Sequence, residues 1–99
     1  MSETTPTLAE LRTRIEEIDR GIIALIDERV RCARIVGRAK RAEGLPILDP
    51  SREAAVIRRA VEIARDFHLD EEDIREIYWH LIGLSRRAQL AGHAETAQA

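Results

Sequence analysis

Residues 8–43 read LAELRTRIEEIDRGIIALIDERVRCARIVGRAKRAE. Apolar side chains recur there at alternating spacings of three and four residues, at Leu8, Leu11, Ile15, Ile18, Ile22 and Leu25. This spacing is typical of a helix that buries one stripe of its surface. Pro6 precedes the pattern, and Gly44 and Pro46 follow it, as at the ends of many helices. The stretch predicts one long helix that ends at about Glu43.

The length of this helix predicts a partner chain. At about 1.5 Å per residue the helix is roughly 50 Å long. A compact monomer of 99 residues is only about 30 Å across. The helix would therefore extend beyond its own domain and expose its apolar stripe. We expect a homodimer with intertwined helices that covers it.

Two shorter helices follow the first. Asp49 and Pro50 suit the N-cap and first position of a second helix, which should run to about Phe67. Asp70 can cap a third helix that ends at about Ala91. No strand pattern is evident, so the predicted fold class is all-α, with three helices in an intertwined dimeric bundle.

Composition fits a single small domain. We expect a disordered N-terminus at residues 1–7, a helical domain at 8–91 and a flexible tail at 92–99. Hydrophobic residues make up 44% and aromatic residues 3% of the chain, which favours aliphatic helix packing. The net charge of −2 is unlike the basic composition of nucleic-acid-binding proteins. The single cysteine, Cys32, and the lack of signal-peptide features predict a cytoplasmic location.

Arg29 occupies a position where the helical pattern calls for an apolar side chain. An unpaired charge in a buried stripe is very costly. An anionic group should therefore meet Arg29, and the sequence leaves open whether that group is a structural carboxylate or a ligand.

Arg29 is one of six polar side chains that lie on or beside the inward stripes of the three helices. The six are Arg29, Lys40, Arg52, Glu53, Ser85 and Gln89. Taken singly, each is more often structural, as an ion pair or as a residue that sets helix register. As a set their cations outnumber their carboxylates, which favours a small, multiply anionic ligand enclosed by the bundle.

Arg12 lies beside the apolar stripe near the start of the first helix. It is roughly 42 Å from Lys40 along the helix axis, so no small ligand could contact both within one chain. In an antiparallel dimer, Arg12 of one chain would complete the site of the other. The alternative of a solvated surface arginine stays open.

These residues, in this order, resemble those of the all-helical chorismate mutases, which are small three-helix chains that form interlocked homodimers. The resemblance extends from about Leu8 to Gln89. It rests on the segments Leu11-Arg12, Ile18-Asp19, Leu25-Ile26-Asp27-Glu28-Arg29, Gly37-Arg38-Ala39-Lys40, Asp49-Pro50-Ser51-Arg52-Glu53 and Ser85 to Gln89. No single motif is specific, and the ordered set carries the signal.

The resemblance implies conversion of chorismate to prephenate. It implies that Arg12 of one subunit, with Arg29 and Arg52 of the other, grips the two substrate carboxylates. Ser85 would add a hydrogen bond to a carboxylate.

The resemblance also implies roles around the breaking bond and the ring. Lys40 and Gln89 would flank the ether oxygen, while Glu53 and the backbone at Asp49 would hold the ring hydroxyl. No metal or cofactor is expected. Since a carboxamide donates at any pH, Gln89 predicts activity that persists at neutral and mildly alkaline pH.

Two other interpretations of the sequence remain open. A sibling enzyme could act on 4-amino-4-deoxychorismate, since Glu53 could also hold an ammonium; a lyase acting on isochorismate fits less well. A non-catalytic helical dimerisation module is the alternative from another class. A basic ridge on the first helix could also bind an activating partner enzyme, although such ridges are most often solvated; it comprises Arg31, Arg34, Arg38 and Arg41.

Overall fold

The computed structural model describes residues 4–98, and side chains for residues 4–91. Over that range the chain forms three helices and no strand. They are α1 (Leu8–Ala42), α2 (Pro50–Asp66) and α3 (Glu71–Gln98). The predicted all-α fold with a long first helix is confirmed. The first three residues of the predicted disordered N-terminus lie outside the described residues.

Local sequence explains both ends of α1. The Thr7 hydroxyl accepts a hydrogen bond from the Glu10 amide at 3.1 Å, which caps the first turn. At the other end Gly44 adopts a φ of 70°, in the left-handed region that glycine enters without a steric penalty. The turn lets the Leu45 amide donate to the Lys40 carbonyl at 2.7 Å. The chain therefore folds back over the last turn of α1.

Aspartates begin the two shorter helices, as predicted. The Asp49 carboxylate accepts from the Arg52 amide at 3.2 Å, and Pro50 occupies the first helical position. The Asp70 carboxylate accepts from the Asp73 amide at 2.9 Å. These caps satisfy amide donors that have no partner within the helix.

The third helix is longer than the sequence predicted. It continues through Gly92 to Gln98, so the predicted end near Ala91 is wrong. A glycine inside a helix costs only about 1 kcal/mol, and the alanines, glutamate and glutamine that follow are good helix formers. The side chains of the predicted flexible tail, residues 92–99, lie outside the described residues.

Helix α3 holds the fold together because it packs against both α1 and α2. The core cluster joins Ile57 and Val61 of α2 to Ile82 of α3, with Val56 and Tyr78 packed against it. The buried residues of α1, Ala33 and Gly37, both lie in the C-terminal half of that helix.

The N-terminal half of α1 extends away from that core. The molecule measures 63 × 29 × 19 Å, and its radius of gyration is 18.2 Å, against about 13 Å for a compact chain of this length. All six apolar residues of the α1 stripe are exposed, from 45% at Ile18 to 66% at Leu25. The predicted overhang of the first helix is therefore present in the single chain.

Candidate active site

A cavity of about 310 Å³ opens where the three helices and the joint between α1 and α2 meet. Its walls are formed by Arg29, Cys32, Ala33, Val36, Lys40, Ile47, Asp49, Arg52, Glu53, Val56, Arg59, Ile82, Ser85 and Gln89. Seven of the eight residues that the sequence singled out are on this wall, and the eighth, Arg12, is not.

Arg29 crosses from α1 to α3. Its Nη1 donates to the Leu81 carbonyl at 3.3 Å and to the Ser85 hydroxyl. The Ser85 hydroxyl in turn donates to the Leu81 carbonyl at 3.1 Å. Both acceptors of Arg29 are neutral, and none of the salt bridges among the described side chains includes it. Of the two anionic groups that the sequence left open, a carboxylate among the described residues is therefore not the partner of Arg29.

Lys40 is held on two sides at the end of α1. Its ammonium donates to the Gln89 Oε1 at 3.0 Å and to the Ile47 carbonyl at 2.8 Å. The fold at Gly44 brings the Ile47 carbonyl over the last turn of α1. A lysine ammonium has three donors, so one remains for a ligand in the cavity.

Gln89 is positioned by its backbone as well as by Lys40. Gly37 lies so close that a Cβ there would be 2.9 Å from the Gln89 Cα and 2.9 Å from its carbonyl oxygen. The Gln89 carbonyl also accepts from Arg41 Nη1 at 3.2 Å. Because the amide oxygen faces Lys40, the amide nitrogen of Gln89 keeps its two N–H donors. Lys40 and Gln89 thus form a paired donor group on one wall.

Glu53 is paired with Arg86, a residue that the sequence did not single out. Arg86 Nε donates to Glu53 Oε2 at 2.7 Å, and its Nη2 donates to Oε1. The hydrogen bonds from Arg86 hold the pKa of Glu53 below its usual value; desolvation opposes them, and the charges of Arg86 and Lys40 reinforce them. Glu53 is therefore an ionised carboxylate with a fixed orientation.

Two further arginines reach the cavity from α2. Arg52 was predicted to do so, and Arg59 was not. Both are exposed, and neither belongs to a salt bridge among the described side chains. With Val56 they are spaced at four and three residues, which places all three on one helix face. That spacing was the signal that could have found Arg59.

Charge and shape together define what this cavity suits. Four cationic side chains line it against two carboxylates. Among the described residues, no group of His, Cys, Asp or Glu is placed to hold a metal ion. The cavity therefore suits a small anion held by guanidinium groups near two further hydrogen-bond donors.

Arg12 lies on the extended half of α1, away from this cavity. A guanidinium cannot span the roughly 42 Å of helix that separates it from Lys40. Its predicted contribution to a second chain's site stays a prediction. Among the described residues, no helix is long and apolar enough to cross a membrane.

Comparison with known proteins gives a consistent result. A family model described as chorismate mutase type II matches residues 11–90. The chain is 37% identical over 82 residues to the chorismate mutase of Methanocaldococcus jannaschii, and the match covers 83% of each chain. It is 32% identical over 96 residues to the bifunctional chorismate mutase/prephenate dehydratase of Escherichia coli, covering 94% of this chain and 25% of that enzyme.

A solved structure shares the fold as well. The chain aligns with a conserved hypothetical protein from Pyrococcus furiosus at a TM-score of 0.69 and 34% identity. The alignment covers 87% of this chain and 99% of the other. The similarity therefore spans the three helices that build the cavity.

Proposed function

We propose that this chain, which belongs to the chorismate mutase type II family, catalyses the Claisen rearrangement of chorismate to prephenate. In that reaction the ether C–O bond breaks as a C–C bond forms within one molecule, without an external nucleophile or redox partner. Catalysis needs the enolpyruvyl arm held over the ring. It also needs preorganised donors where negative charge grows on the ether oxygen.

The observation that carries this proposal is the Lys40–Gln89 pair inside a cavity rich in arginine. Lys40 Nζ lies 3.0 Å from Gln89 Oε1, and each side chain keeps a donor for a third group. Those donors would stabilise an ether oxygen between them more strongly as its negative charge grows. They would therefore stabilise the transition state more than the bound substrate, which lowers the barrier to rearrangement.

The arginines account for binding. Arg29 and Arg52 would each take a substrate carboxylate, because a guanidinium fork matches a carboxylate bidentately. Ser85, already bonded to Arg29, would turn its single hydroxyl hydrogen from the Leu81 carbonyl to the same carboxylate. Since Arg29 has only neutral acceptors among the described residues, the substrate would supply its counter-charge.

Glu53 and Asp49 would face the ring. A carboxylate held by Arg86 can still accept a hydroxyl hydrogen bond, because its two oxygens offer about four acceptor positions. The backbone at Asp49 would meet the same hydroxyl from the helix corner.

The active form would be a homodimer. Six exposed apolar residues on one face of α1 support this, because a soluble monomer rarely leaves so long a stripe uncovered. A second chain packed antiparallel would cover that stripe and bring its Arg12 to the cavity. Two equivalent sites would result, each with Arg12 supplied across the interface. A non-catalytic dimerisation module would need the apolar stripe of α1 but not the charged cavity.

The test is turnover of purified protein with chorismate, followed by loss of the enolpyruvyl absorbance and identification of prephenate. Lys40→Ala should lower kcat by about 100- to 1,000-fold, as removal of one transition-state donor does elsewhere. Arg58→Ala is the matched control, because Arg58 lies on α2 outside the cavity wall. A Lys40→Ala variant of undiminished activity, or a wild type that leaves chorismate unchanged, would refute the proposal.

A further inference from the structure

We infer that Arg86 sets which ring substituent the site accepts, and that it favours a hydroxyl over an ammonium. The inference rests on the proposed function, since it takes Glu53 as the group that faces the ring. It concerns a residue that lies outside the cavity wall and acts through Glu53. Arg86 is therefore a positioning residue.

Arg86 and Glu53 form an ion pair that is held at two points. Arg86 holds both oxygens of Glu53, through Nε at 2.7 Å and through Nη2. The Glu53 side chain is only 15% exposed, whereas that of Arg86 is 44% exposed. The carboxylate thus points inward with its outer acceptor positions filled. Glu53 also lines the cavity, so acceptor positions that Arg86 leaves free are available to a ligand there.

Several charged groups act on Glu53. Besides Arg86, Lys40 is near enough to act on Glu53 electrostatically. Asp49 also acts on Glu53 electrostatically, so two carboxylates already face two cations there. A hydroxyl needs only a free acceptor position, which Glu53 retains. An ammonium would be a third cation beside a carboxylate whose charge is already balanced, and like charges at such distances repel.

Without Arg86 the balance would reverse. Glu53 would lose its ion-pair partner, and Glu53 and Asp49 would then outnumber Lys40, the cation that still acts on Glu53. An ammonium is the better partner for such an excess of negative charge. Specificity here would come from a repulsive element as much as from an attractive one. The arginine thus explains how a carboxylate that could hold either substituent selects one.

The experiment compares kcat/KM for chorismate and for 4-amino-4-deoxychorismate in wild type and variants. Arg86→Met keeps the aliphatic stem and removes the charge, and Arg86→Gln is a second neutral replacement in case one variant folds poorly. Each should shift the ratio toward the amino substrate by about tenfold, the effect of one nearby charge in a half-exposed site. Arg86→Lys, which keeps the charge, should stay near the wild-type ratio. Arg87→Met, a neutral change at the neighbouring position on α3, should leave the ratio unchanged.

The outcomes separate this inference from the proposed function. A wild type that converts chorismate, with an unchanged ratio in both neutral variants, would overturn the role of Arg86 and leave the mutase reaction standing. A wild type that prefers the amino substrate would also overturn it. Turnover of neither substrate would overturn both.

Discussion

Gly37 on α1 lies against the backbone of Gln89 on α3, and a Cβ at Gly37 would come within 2.9 Å of two Gln89 backbone atoms and 3.1 Å of its Cβ. Backbone atoms cannot move aside as the tip of a long side chain can. The two helices therefore approach closely only because residue 37 is glycine, and the distance between Lys40 and Gln89 depends on that approach.

Gly37→Ala should separate α1 from α3 and weaken the Lys40–Gln89 pair. We expect a loss of about 1–3 kcal/mol in the free energy of unfolding, the usual cost of overpacking. We also expect kcat to fall by about 10- to 100-fold, because small displacements of catalytic donors are costly. Urea denaturation and steady-state kinetics measure the two effects.

Gly83→Ala is the matched control for that change. Gly83 is also inside a helix, but a Cβ there would meet only the tip of the Arg87 side chain, at 3.4 Å. Helix propensity should then stabilise the variant by about 0.5–1 kcal/mol, with unchanged kcat. If Gly37→Ala behaved like Gly83→Ala, the close approach would have no catalytic importance.

The proposed sharing of Arg12 between subunits predicts complementation. Arg12→Ala and Lys40→Ala homodimers should each be nearly inactive. Mixed by refolding together, they should form heterodimers in which one site has both residues and the other has neither. Random pairing makes half of the dimers mixed, so activity should recover to about a quarter of wild type.

A site built from one chain would give a different result. If Arg12 acted on the Lys40 of its own chain, each site of a mixed dimer would lack one residue and activity would not recover. If light scattering showed a monomer at assay concentration, the shared site would also be refuted.

Arg59 should contribute to capture of the dianionic substrate and not to the rearrangement itself. It lines the cavity from an exposed position without a salt bridge among the described residues. Arg59→Ala should raise KM by about three- to tenfold, with kcat little changed. The effect should shrink at high salt, because exposed charges are screened.

The neighbouring residue provides the control for Arg59. Arg58 carries the same charge on the same helix but does not line the cavity. Arg58→Ala should leave KM within about twofold of wild type. Equal effects of the two substitutions would mean that net charge, and not the position of Arg59, governs binding.

Much of this site could be predicted because its residues break the helical pattern. Arg29 was visible as a charge at an apolar position, and the cap at Asp49 placed Arg52 and Glu53 in the first turn of α2. Arg86 gave no such signal. Its role depends on how α2 and α3 rotate against each other, which sets whether its guanidinium reaches Glu53.

The contacts made by backbone atoms could not be predicted from the sequence either. The Ile47 carbonyl that holds Lys40 is positioned by the turn at Gly44, and a carbonyl carries no residue-specific signal. The approach of Gly37 to Gln89 likewise depends on packing between distant helices. The sequence predicts an end of α3 near Ala91 because Gly92 suits a helix C-terminus, whereas the helix continues to Gln98.

The Glu53–Arg86 pair should make stability depend on pH. The folded-state pKa of Glu53 lies below its ordinary value of 4.5, chiefly because Arg86 donates to the carboxylate. A lowered pKa means that the stabilisation is fully present above pH about 4.5 and is lost as the pH falls through the folded-state pKa. Arg86→Met should therefore lower Tm at pH 7, and its deficit relative to wild type should shrink as the pH approaches 3.

Arg87→Met separates this linkage from a general effect of removing an arginine from α3. Arg87 forms none of the salt bridges found among the described side chains. Any change in Tm that it causes should be similar at pH 7 and pH 3. A deficit of Arg86→Met that stayed constant over the same range would show that Arg86 stabilises the fold through packing of its aliphatic stem and not through the charge of Glu53.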